Sequence, residues 1–146
     1  MRPGIKTMLT PEKKYDTYLK SKNQRFTTAR KIIFDYLFSV HSHLKLDDIR
    51  KEAEKNNISR ATLFRILNQM IDAELIQKFF DDKGQVYYEH IYEHTPHHHL
   101  ICTKCNKITE FEDPDLHAFL EDICKKNNFI HQNHIVEVMG VCKDRC

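Results

Sequence analysis

Apolar positions along the chain follow two rhythms. Up to about residue 72 they recur every three or four residues, and beyond it short β-prone stretches surround one further run of helical spacing. Thr10-Pro11-Glu12 reads as a helix start, with Thr10 as N-cap and Pro11 at the first helical position. Tyr15, Tyr18 and Leu19 then share a face. Thr27 or Thr28 caps a second helix bearing Ile32, Ile33, Tyr36 and Leu37. A third, opening at Lys45, turns Leu46, Ile49 and Ala53 inward. Ser59 caps a fourth, SRATLFRILNQMIDAELI, whose buried stripe is Leu63, Ile66, Leu67 and Met70. Leu75–Phe80 and Gln85–Glu89 are β-prone and flank the turn Asp81-Asp82-Lys83-Gly84. Helix–turn–helix followed by a hairpin is the winged-helix plan.

Residues 1–9 show no periodicity and read as a loose arm, and residues 91–96 read as a hinge. Beyond it, His99–Cys102 and Lys107–Phe111 predict short strands around a C-x-x-C turn. Asp113-Pro114-Asp115 starts a helix through Lys126 with Leu116, Phe119, Leu120 and Ile123 on its apolar face, and Cys124 beside that face belongs to the core. Phe129–His134 and Ile135–Val141 supply further strand. The expected class is α+β: a winged-helix domain over residues 1–90, the hinge, and a small α/β domain over 97–146.

Composition sharpens this division. With 40% apolar and 30% charged residues in a chain of 146, the protein reads as soluble and globular, and no apolar run approaches the ~20 residues of a membrane span. The start, MRPGIKTMLTPEKKYD, lacks the apolar centre of a secretory signal, so a cytoplasmic location with reduced thiols is expected. The net charge of +2 conceals an asymmetry: residues 1–80 are net basic and residues 81–146 net acidic. A basic half built around an exposed helix suggests nucleic acid. On that helix Arg60, Thr62, Phe64 and Arg65 lie outside the buried stripe. The arginines suit guanine or phosphate, while Thr62 and Phe64 suit thymine methyl groups. Arg25, Arg30 and Lys31 suit phosphate contacts.

The acidic half holds most of the histidines and all the cysteines. Cys102-x-x-Cys105 and Cys142-x-x-x-Cys146 are two close thiol pairs a domain apart, the pattern of a tetrahedral zinc site. Just before the first pair stand His97, His98 and His99. On an extended segment His97 and His99 point one way and His98 the other. Glu89 and His43 are candidates to join His97 and His99, which would tie the two halves together. A hydrolytic zinc enzyme would need a substrate pocket motif, which the sequence does not display, so no small-molecule substrate and no catalytic residue are expected.

These motifs together resemble the ferric uptake regulator family. SRATLFRILNQM is close to its A-T-V-Y-R-x-L-N helix, and HHHLICTKCNKITEF to its H-H-D-H-L-I-C-x-x-C-G-K-x-x-E-F segment. The resemblance covers Gln24 to Cys146. It implies a homodimeric, metal-dependent repressor of a palindromic double-stranded DNA operator controlling metal uptake or homeostasis. It implies structural zinc on Cys102, Cys105, Cys142 and Cys146. It also implies a regulatory ion, Fe(II), Mn(II) or Zn(II), on His43, Glu89, His97, His99 and Glu110, and an additional site on His98, His117 and His134. The alternative within the family is a peroxide sensor that oxidises a ligand histidine. Such members typically carry Asp where Glu110 stands, which favours the metal sensor. Three departures from the pattern stand out. His98 replaces an Asp, His117 replaces a carboxylate and Pro96 replaces a His. An imidazole-rich additional site prefers Zn, Ni or Cu to harder ions. Phe64 stands where the family has Tyr.

Overall fold

The computed structural model describes residues 9–40, 43–92, 97–132, 134–143 and 146. The arm expected over residues 1–9, except Leu9, and hinge residues 93–96, Pro96 among them, lie outside the described residues. The chain divides into two compact units, Met1–Lys78 with Val86–His94, and Phe79–Gln85 with Thr95–Cys146.

The first unit carries α1 (Pro11–Ser21), α2 (Thr28–Ser39), β1 (Leu44–Lys45), α3 (Leu46–Lys55) and α4 (Arg60–Asp72). The hairpin strands β2 (Ile76–Phe80) and β3 (Val86–His90) complete a three-stranded sheet of order β1-β3-β2. The expected caps form: the side chains of Thr10, Thr27 and Ser59 accept from the N–H groups of Lys13, Arg30 and Thr62. Of the two threonines that could start α2, Thr27 takes the cap. The core comprises the predicted stripes, including Leu19, Ile33, Leu37, Ile49, Leu63, Ile66, Leu67 and Met70, each at most 2% exposed.

Four helices end by the same device. Asn23, Asn57, Glu74 and Asn128 adopt left-handed φ of 54–56° just past α1, α3, α4 and the later helix Pro114–Lys126. The next residue then donates its N–H back into the helix: Gln24 to Leu19 at 2.8 Å, Ile58 to Ala53 at 2.9 Å, Leu75 to Met70 at 3.0 Å and Phe129 to Cys124 at 2.8 Å. This is a Schellman closure, with Asn or Glu where glycine is usual. It explains a difference from the sequence reading. The fourth helix does not continue into Ala73–Ile76 but stops at Asp72, because Glu74 reverses the chain and buries Leu75. The pair Leu44–Lys45 was also not foreseen as a strand, yet it pairs antiparallel with Tyr88 and Tyr87. Two residues are too few to show alternation.

The second unit carries β4 (His98–Cys102), β5 (Ile108–Phe111), α5 (Pro114–Lys126) and β6 (Glu137–Gly140). The sheet order is β5-β4-β6, with β5 antiparallel and β6 parallel to β4. Asp113 caps α5 by accepting from the N–H groups of Asp115 and Leu116. Phe129–His134, expected as strand, carries none among its described residues, and the strand expected over Ile135–Val141 is confined to Glu137–Gly140. A second correction concerns Cys124, which is half-exposed rather than core. No residue of α5 is buried, and Phe119 and Ile123 are 60% and 40% exposed. The apolar stripe is present, but the described residues cover it only in part, with Leu116 and Leu120 half-buried.

Candidate metal centres and DNA-binding helix

The thiol centre is built by two strand ends. Asn106, at φ 59°, turns the chain after β4, so that its N–H reaches the Cys102 carbonyl at 2.9 Å and the Cys102 N–H reaches Lys107 at 2.9 Å. The Thr103 N–H donates to Gly140 at 2.8 Å, which fixes the turn to the end of β6, where Cys142 follows. The Sγ separations are 3.9 Å for Cys102–Cys146, 3.8 Å for Cys105–Cys142 and 3.4 Å for Cys142–Cys146. Four sulfurs about 2.3 Å from a tetrahedral ion stand about 3.8 Å apart, so the donor set fits zinc and is far from disulfide contact. Backbone N–H groups, chiefly that of Cys105 and then that of Cys142, push the Cys102 thiol down to about 6. The neighbouring Cys142 thiol pushes Cys146 up to about 12. The Cys102 thiolate forms readily while the Cys142 and Cys146 thiols resist ionisation, a conflict that a bound dication resolves.

Each unit also carries an imidazole–carboxylate group. In the first, His43 Nε2 lies 3.1 Å from Glu89 Oε2. Gln77, on β2, donates to Glu89 Oε1 at 2.5 Å, and both side chains of that bond belong to buried residues. In the second, His97 Nε2 lies 3.9 Å from Glu110 Oε1, and the register of β4 with β5 sets His99 opposite Glu110. The His97 and His99 rings meet edge-on at 5.2 Å, and His99 stacks on Phe79 at 4.3 Å. His98 has other neighbours, Phe111 at 5.2 Å and His134 at 5.1 Å, as strand alternation requires.

His134 belongs to a further imidazole cluster, with ring centroids 5.2 Å from His117 and 5.0 Å from His131. The ligand atoms of His117, Glu121 and His131 all lie within 4.8 Å of one another. Burial, then the charges of neighbouring imidazoles, lowers the pKa of both His98 and His134, keeping them neutral and able to offer lone pairs. Glu121, His131 and Gln77 were absent from the sequence reading. Glu121 was detectable as the i+4 partner of His117, and His131 by its closeness to His134. Gln77 carried no signal.

On α4, Arg60 and Arg65 are exposed. The Ser59 hydroxyl donates to Thr62 Oγ1 at 2.9 Å, which ties that side chain to the helix cap. Phe64 is half-buried, with the Arg50 guanidinium 5.6 Å from its ring centroid. Arg25 is exposed. Arg30, expected at phosphate, is instead bonded to Gln69 Oε1 at 3.2 and 3.1 Å and to the Arg25 carbonyl at 2.6 Å, and it contacts Gln24. Lys31 pairs with Asp35 at 2.7 Å and Glu12 at 3.2 Å.

A winged helix presenting arginines, in one chain with thiol and imidazole–carboxylate centres, defines a metal-binding transcription regulator. Residues 21–139 match the family described as "Ferric uptake regulator family". The chain is 32% identical over 130 residues to the ferric uptake regulation protein of Neisseria meningitidis serogroup A, covering 86% of this chain and 89% of that one. The ferric uptake regulator of Francisella tularensis, solved with iron, superposes with a TM-score of 0.61 at 29% identity over 80% of this chain and 90% of that one. The Helicobacter pylori ferric uptake regulator shares the fold, with a TM-score of 0.72 at 24% identity over 96% of each chain. The chain therefore belongs to the ferric uptake regulator family, a family of transcription factors rather than enzymes. No helix among the described residues is long and apolar enough to cross a membrane.

Proposed function

We propose that this protein is a cytoplasmic, dimeric repressor that binds a palindromic operator when a divalent ion joins its two units, and so controls genes of metal uptake or homeostasis. The observation that carries the reading is that each unit holds half of a ligand set. One half is the His43–Glu89 pair at 3.1 Å and the other the His97–Glu110 pair at 3.9 Å, with His99 beside it. Two carboxylates and three imidazoles suit Fe(II), Mn(II) or Zn(II). When bound, the ion supplies the attraction that holds these five side chains at one point. The work of the chain is to deliver them from separate units, with residues 91–96 as the hinge. Fixing the units sets the spacing of the two recognition helices in a dimer, as the two half-sites of an operator require. Arg60, Phe64, Arg65 and Thr62 then face the major groove, with Arg25 on phosphate.

The Cys102–Cys105–Cys142–Cys146 centre holds structural zinc, and the region of His98, His117 and His134 is an additional site. The uncovered face of α5 supports the dimer. A tenfold gain in operator affinity on metal binding requires only about 1.4 kcal/mol of coupling, and DNA must tighten metal by the same factor. The test is His97→Ala, followed by operator binding titrated with Mn(II) and Zn(II). The expected result is a folded protein whose affinity no longer responds to metal; a full response would refute the assignment.

A further inference from the structure

We propose that His117, Glu121 and His131 form a divalent-cation seat of their own, on the outer side of the imidazole cluster. The idea rests on the reading of an additional site in that region and reassigns its ligands: His117 is kept, and Glu121 and His131 take the places given above to His98 and His134, so that the region holds one exchangeable ion. His117 and Glu121 stand four residues apart on α5, so both project from one face of the helix. His131 is brought to them by the Schellman turn, in which Asn128 at φ 54° and the Phe129-to-Cys124 bond fold the chain back along the helix end. Its ring centroid lies 5.4 Å from that of His117, and the two planes cross at 74°. Lone pairs from two crossed rings can therefore converge without the rings stacking.

His117 Nε2 and Glu121 Oε1 are 3.4 Å apart. That is long for a charge-assisted hydrogen bond, which falls near 2.7–2.9 Å. It matches the edge of a tetrahedron with arms of about 2.0–2.1 Å, which is about 3.3 Å. All three ligand atoms fall within 4.8 Å of one another. Two imidazoles and one carboxylate leave a coordination position for water and select borderline ions, Zn(II), Ni(II) or Cu(II), over Mn(II).

Two neighbours support the seat without being part of it. His131 Nε2 lies 2.9 Å from His134 Nδ1, so His134 orients the His131 ring and decides which nitrogen bears the proton. His98 is 2% exposed and stands behind His134 at 5.1 Å, whereas the His117 and Glu121 side chains are 45% and 41% exposed. The seat thus opens to solvent and admits exchangeable metal.

The experiment counts exchangeable Zn(II) per chain by elemental analysis and calorimetry, on the full-length protein with its structural zinc retained. Glu121→Gln and His131→Leu are measured singly, with His98→Phe as the contrast. All three are repeated in a His97→Ala background, which removes the regulatory site. Wild type should bind two exchangeable ions, and His97→Ala one. Glu121→Gln and His131→Leu should each weaken the remaining ion at least tenfold, while His98→Phe leaves its affinity within about threefold. X-ray absorption at the nickel edge of the His97→Ala protein, its exchangeable site loaded with Ni(II), should show two imidazoles in the shell. Retention of the ion at full affinity in both Glu121→Gln and His131→Leu overturns the proposal, as does its loss in His98→Phe alone. An unchanged count on passing from wild type to His97→Ala counts instead against the regulatory site, so the two failures are separable. Glu121→Gln, a half-exposed isostere, guards against loss of fold as the cause.

Discussion

Gln77→Leu tests whether a buried amide governs the metal response. Gln77 and Glu89 are 8% and 6% exposed, and the amide donates to the carboxylate at 2.5 Å. The other carboxylate oxygen faces His43 at 3.1 Å. Leucine preserves most of the volume and deletes the donor. A hydrogen bond to a charged group contributes about 1.5–3 kcal/mol net. Part of that will appear as lost stability and part as a carboxylate free to rotate away from the ion. Partners of this kind typically affect metal affinity by about 10- to 100-fold. The expected outcome is an operator-binding curve, followed by fluorescence anisotropy at fixed protein concentration, whose Mn(II) midpoint moves up by at least tenfold. Urea unfolding of the metal-free protein should show a loss of about 1–2 kcal/mol. If the Mn(II) midpoint stays within twofold of wild type and the urea midpoint does not move, the amide does not position Glu89 and the reasoning fails.

Two other predictions concern the scaffold. Glu74 holds φ 56° at the end of α4 with its side chain 78% exposed and a Lys14 ammonium 3.9 Å away. Glu74→Gly should therefore raise stability by about 0.5–1 kcal/mol, read as a higher urea midpoint at unchanged slope. His98 and His134 have pKa values lowered from 6.5, so the unfolded chain binds protons that the native state refuses. The stability they contribute is present above pH 6.5 and is lost as pH falls from there through the lowered native values. Urea midpoints of protein stripped of exchangeable metal should fall over that interval, and His98→Phe should flatten the fall.

How much could be read in advance depended on whether the information was local. Helix starts were legible because a cap acts over three residues, as Thr10, Thr27 and Ser59 do on Lys13, Arg30 and Thr62. The stop of α4 was not, because a left-handed glutamate has no compositional mark. The thiol centre was legible from spacing, since two short Cys pairs each span a turn. Arg30 misled because a cation on a polar helix face looks the same in sequence whether it meets solvent or, as here, Gln24 and Gln69.

The sequence by itself determined most of the elements, the identity of the donor atoms and the division into a basic, helix-rich part and an acidic part rich in Cys and His. Patterning, caps and ligand chemistry are properties of residues and their near neighbours. Only the tertiary structure decided the groupings that spacing does not mark: Gln77 on Glu89, and His131 beside His117 and Glu121. Those groupings depend on strand register and on the turn after α5. It likewise decided that Phe119 and Ile123 of the α5 stripe stay exposed. Periodicity states that a face seeks cover; packing decides whether the chain supplies it.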